Sequence, residues 1–120
     1  MNPPIFKVCR ESPSVIAALG GPIPRLYPFG EAPQGVARPY ATYQMVSGTP
    51  FNTLTTPNSD QISLQVDVFG QTQADATAAF TALRDAVQQH AYVSGYNING
   101  RESDTGLWRL SFDVDWIVDR

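Results

Sequence analysis

Gln61-Ile62-Ser63-Leu64-Gln65-Val66-Asp67-Val68-Phe69 alternates apolar and polar residues without a break. Ile62, Leu64, Val66 and Val68 share one face, and Ser63, Gln65 and Asp67 the other. A period of two over this length predicts a half-buried β-strand, which Gly70 ends. Directly after it, Thr72-Gln73-Ala74-Asp75 has the form of a capping box, whose hydroxyl and carboxylate satisfy orphan amides reciprocally. The helix it opens is expected to run to about His90, with Ala76, Ala79, Phe80, Leu83 and Val87 on one apolar stripe. An alternating strand followed by one good amphipathic helix sets the class: a sheet covered by helices, in an α+β domain.

Working towards the C-terminus, residues 92–98 read as a strand and residues 99–106 as a turn region opened by Asn99-Gly100. Residues 107–118 make a long final strand. Leu110, Phe112, Val114, Trp116 and Val118 share its apolar face, while Arg109, Ser111, Asp113 and Asp115 share the other. Towards the N-terminus, residues 40–46 are β-rich and alternate weakly. Residues 47–59 carry Gly48, Pro50, Pro57 and four threonines, with Phe51 and Leu54 as the sizeable apolar groups. Two readings stand for this segment, a long loop or an extended β-hairpin arm. Residues 22–39 hold five prolines and form an ordered loop, with a short strand near residues 23–27. Two short helices open the chain. Asn2 caps the first ahead of Pro3 and Pro4, and Ser12-Pro13 repeats the device before Gly20-Gly21 ends the second. The order αα-β-β-β-α-β-β gives a mostly antiparallel sheet of four to five strands, with one rather polar face. The expected core takes Phe6, Val8, Ile16, Leu19, Phe80, Leu83 and Val87 from the helices, set against the apolar faces of residues 62–68 and 110–116.

A chain of 120 residues supports one core, so residues 1–120 are expected to form a single domain. Charged residues make up only 16%, which leaves much neutral surface and suits a protein covered by neighbours. Net charge is −3, the only Lys is Lys7, and the Arg residues are scattered singly, which excludes a basic patch for gripping phosphates. Cys9 has no partner for an internal disulfide and, between Phe6, Val8 and the helix, reads as a buried thiol. Met1-Asn2-Pro3-Pro4 carries no basic segment followed by an apolar one, and no run approaches the ~18 apolar residues of a span. No signal peptide and no membrane partner are expected, and the chain should fold in the cytoplasm.

Catalytic chemistry finds little support. Asp113 and Asp115 alternate on one strand face and could meet Asp67 across the sheet, as a carboxylate cluster for Mg²⁺ or as a solvated or interface face. The second reading prevails, because no general base or phosphate-positioning cation accompanies them. His90 is the only histidine and suits the negative end of a helix. Neither GxGxxG, GxxxxGK[ST] nor GxSxG occurs. No catalytic residue, metal or cofactor is expected, and the chain is not read as an enzyme.

Three stretches carry a resemblance. Tyr27-Pro28-Phe29-Gly30-Glu31-Ala32-Pro33-Gln34-Gly35 followed by Pro39-Tyr40, ISLQVDVF at 62–69 leading into an Ala-rich helix, and LWRLSFDVDW at 107–116 together resemble the tail completion family of tailed bacteriophages. The resemblance implies a tail terminator: a hexameric ring of self-associating subunits at the head-proximal end of a long tail tube. Such a ring stops tube polymerisation, meets the tail tube protein and the head-tail connector protein, and lets DNA pass through its lumen without specific binding. The family supplies no catalytic residues. The expected assembly residues are Phe51, Thr53, Leu54 and Thr55 in the arm, with Asp113 and Asp115 on the polar sheet face. Two alternatives remain at this stage: another phage neck or tube subunit, and a small metal-dependent hydrolase using Asp67, Asp113 and Asp115.

Overall fold

A computed structural model describes residues 3–52 and 57–119. Strand order explains its shape. The elements are α1 (Ile5–Arg10), α2 (Pro13–Leu19), β1 (Leu26–Pro28), β2 (Tyr40–Asn52), β3 (Pro57–Gly70), α3 (Gln73–Gln88), β4 (Tyr92–Arg101) and β5 (Trp108–Asp119). They build one five-stranded sheet in the order β1-β2-β3-β5-β4. β1 runs parallel to β2, and the other three pairings are antiparallel. The α+β class and the mostly antiparallel sheet are therefore as the alternation predicted.

Of residues 47–59, open between loop and arm, those described continue the two strands: β2 and β3 pair from Ser47↔Ser63 to Phe51↔Ser59 and, after a register shift, at Asn52↔Pro57. A strand rises roughly 3.3 Å per residue, so β3 alone spans most of the molecule's 51 Å long axis. The expected turn at Asn99-Gly100 does not form there. Both residues stay paired, opposite Leu110 and Arg109. The turn falls later, where Glu102 N donates to Leu107 O at 2.8 Å and Gly106 takes a φ of +72°, open to glycine without strain.

Helix α3 packs on β3, β5 and β4, with α1 and α2 beside it. Thr72 Oγ1 accepts from Asp75 N at 3.1 Å, as the capping box requires. The helix stops at Gln88 rather than His90, because His90 N and Ala91 N both turn back to Val87 O. Three alanines on its inner side, Ala76, Ala79 and Ala86, let it sit close to the sheet. Gly70 shares in this: a Cβ there would lie 2.7 Å from Ala76 N.

The core contains Ile62, Leu64, Val66, Val68, Leu83, Val87, Leu110, Phe112, Val114 and Trp116, as expected. The short helices are turned from the expected setting. α1 begins at Ile5, its first bond running from Val8 N to Pro4 O, so Pro4 holds the cap position; Asn2 lies outside the described residues. Ile5 and Cys9 are then buried at i and i+4 in α1, and Val15 and Leu19 in α2. Phe6, Val8 and Phe80 are only partly buried against this cluster, and Ile16 is half-exposed.

Candidate assembly surface

The helices cover one face of the sheet and leave the other to polar side chains. Asp67 of β3 lies opposite Ser111 of β5, and Arg109 lies opposite Phe69. Arg109 Nη2 reaches Asp67 Oδ2 at 3.0 Å, and its Nη1 reaches Glu102 Oε2 at 3.5 Å. Gln65 Nε2 donates to the same Asp67 carboxylate at 3.1 Å. The guanidinium also lies 5.7 Å from the Phe69 ring, which stacks on Tyr40 at 4.9 Å. With these covers Asp67 is only 1% exposed. A carboxylate so enclosed is stable when cation and amide share its lone pairs. Burial raises the Tyr40 hydroxyl above its ordinary range, with Arg38 lowering it and Glu102 raising it.

Asp113 and Asp115 stand on this same face, opposite Gln65 and Ser63. Asn97 Nδ2 donates to Asp113 at 2.8 Å, and Ser63 Oγ donates to Asp115. So the three carboxylates expected to share a face do share it, but each is held by a different partner. Among the described residues no group of three acidic, His or Cys side chains is arranged to hold a metal ion. His90 is exposed just beyond α3. Of the expected arm residues, Phe51 has its backbone in β2 opposite Ser59. Thr53, Leu54 and Thr55 lie outside the described residues, as does the environment of the Phe51 side chain.

What the sequence did not reveal lies at the sheet's two edges. β1 pairs only with Ala41, Thr42 and Tyr43, so among the described residues no strand covers the outer side of β2 beyond Tyr43. Among the described residues β4 has a neighbour on one side only. Large apolar side chains are exposed beside both edges: Met45 and Val46 on β2, Tyr92 and Tyr96 on β4. Next to Met45 a groove of about 560 Å³ is lined by Phe29, Tyr43, Ile62 and Leu64. Tyr96 leans on Phe80, ring centroids 5.7 Å apart. The Arg84 guanidinium is held more firmly protonated by its bond to Asp85 and then by Tyr96. Only register, which sequence does not supply, shows that these residues flank open edges.

One sheet with helices on a single face, a polar opposite face and two open edges defines a small α+β structural module. The family model for Tail completion protein gp17 matches residues 3–119, and the chain belongs to that family. It is a structural protein of a phage tail. A solved chain from the virion of a native gene transfer agent particle has the same fold, with a TM-score of 0.77 at 15% identity, over 97% of this chain and 92% of that one. No curated protein matches the sequence.

Proposed function

We propose that this chain is the tail terminator of a long-tailed phage. It forms a hexameric ring on the head-proximal end of the tail tube, ends tube polymerisation, and presents a surface to the head connector, with DNA passing through the lumen. The observation that carries this reading is the tail-completion family match along residues 3–119. The fold is compatible with it: a closed ring needs two unlike surfaces per subunit, and the sheet offers two unlike edges. In this reading residues 1–120 act as one unit, and the segment 47–59 is an assembly arm that uses Phe51, Thr53, Leu54 and Thr55. Asp113 and Asp115 contribute on the polar face. Assembly follows in the host cytoplasm.

Removing the chain from the phage separates this role from its neighbours. A missing terminator leaves tubes of excess and irregular length, beside filled heads that lack tails. A missing tube protein leaves no tubes, and a missing connector leaves tubes of normal length. The expected result is the first. Normal-length tubes, or an open helical stack of this subunit in the virion, would overturn the proposal.

A further inference from the structure

Both open edges lack the charged side chains that usually protect an exposed strand. Natural sheets blunt an exposed edge with charges, above all lysine, because unpaired N–H and C=O groups template another strand. Residues 44–52 of β2 carry no charged side chain, and β4 carries none before Arg101. Pro50, the bulges at Val46, Ser94 and Asn97 and a register shift at Phe51/Asn52 interrupt the two edges. Buried backbone groups need partners, so uncharged edges of this length suit an extended strand from another chain.

The sheet itself says which strand fits. β2, β3, β5 and β4 alternate in direction without exception, so β4 runs opposite to β2. Copies related by a rotation that keeps strand direction place β4 of one beside β2 of the next in antiparallel register, with the helices of both on the same side. Side chains match in the same sense. Tyr96 lies opposite Phe112 and Met45 opposite Leu64, both on the helix-covered side. The groove beside Met45 is on β2, and Tyr96, 63% exposed, is on β4. A contact between two β4 edges would set ring against ring, and one between two β2 edges would set groove against groove. Only the unlike pair is complementary.

We propose that neighbouring copies join by sheet continuation, β4 of one subunit pairing antiparallel with residues 44–52 of the next, and Tyr96 entering the groove beside Met45. This rests on the ring reading above for its closure, although the pairing itself does not need six copies.

Pairing Met45 against Tyr96, with one bulge on each strand, brings the exposed Ser47 near the exposed Ser94. In phage particles carrying the Ser47→Cys/Ser94→Cys chain, a short thiol-specific bismaleimide should give a ladder of covalent oligomers that ends at the ring size. Either single variant should stay monomeric on the same gel. Cys9 does not interfere, being fully buried with a thiol pushed up to about 12. Dimers from a single variant, or rings seen in micrographs whose double variant stays uncross-linked, overturn the edge pairing and leave the ring standing. A ladder without an end keeps the pairing and overturns the ring. Should the cysteine chain fail to enter particles, a charge pair decides. Met45→Glu and Tyr96→Lys, each shown to melt as wild type, should each abolish assembly and together restore it. Assembly undisturbed by either one overturns the pairing.

Discussion

Arg109 lets an uncovered sheet face hold a buried carboxylate. Removing one partner of a buried pair typically costs about 3–5 kcal/mol, because the remaining charge is stranded. Asp67 keeps the Gln65 amide when Arg109 is lost, so Arg109→Met is expected at the low end, near 3 kcal/mol. Arg84→Met removes a bridge to an Asp85 that is 58% exposed, and should cost under about 1 kcal/mol. Urea midpoints of the two variants check the contrast, and equal shifts would remove the special status of Asp67. Gly70 is the second decisive residue. Gly70→Ala drives a methyl to 2.7 Å from the Ala76 amide nitrogen, and backbone cannot step aside as a flexible side chain can. A loss of about 1–3 kcal/mol is expected, measured the same way. Cys9 gives the pH dependence. Burial raises its thiol from 9.0 to about 12. The unfolded chain therefore releases this proton first, and the contribution to stability is lost as pH rises from about 9 towards 12. A Cys9→Ala chain should show a flatter decline over that window in chemical denaturation.

At the scale of elements, the sequence was most legible where one period ran uninterrupted. The alternation at 61–69 and 108–118 gave both central strands and their inner faces, because each has a helix on one side and polar groups on the other. Thr72 and Asp75 marked the start of α3 for an equally local reason. The short helices were harder: with six and seven residues, two adjacent apolar residues compete for the inward position. Packing chose Ile5 over Phe6 and Val15 over Ile16. Asn99-Gly100 misled because a turn dipeptide is also tolerated inside a strand when its partner strand runs on past it. The open edges were illegible for a different reason, since being unpaired is a property of the whole sheet. The proposed arm, residues 47–59, is testable. Phe51 and Leu54 are its large apolar residues, and burying each at an interface is worth roughly 1.5–3 kcal/mol before ordering costs. A Phe51→Ser/Leu54→Ser chain should therefore melt like wild type yet fail to join tails to heads. Normal infectious particles from that chain would reduce the arm to a simple hairpin.

The molecule as a whole carries its charge in a way that suits passage rather than grip. Each chain is −3, so a ring of six carries −18. Its cations are also occupied or dispersed: Arg109 is committed to Asp67 and Glu102, Arg84 to Asp85, and Arg25 Nε donates to Pro39 O at 2.9 Å. Phosphate binding gains most of its strength from releasing counterions to clustered Lys and Arg. A surface without such a cluster cannot make that gain, and a net negative field lowers the local concentration of DNA further. A conduit for DNA under pressure needs this property, since every held phosphate would slow the strand. Fluorescence anisotropy with a labelled duplex should accordingly show no binding tighter than about 10⁻⁴ M, the weak end of non-specific association, at near-physiological salt. Lowering the salt should change little, because few ions are displaced. Micromolar binding with a steep salt slope would instead reveal a basic track formed between subunits, and the proposed ring would then be a clamp on DNA rather than an open passage.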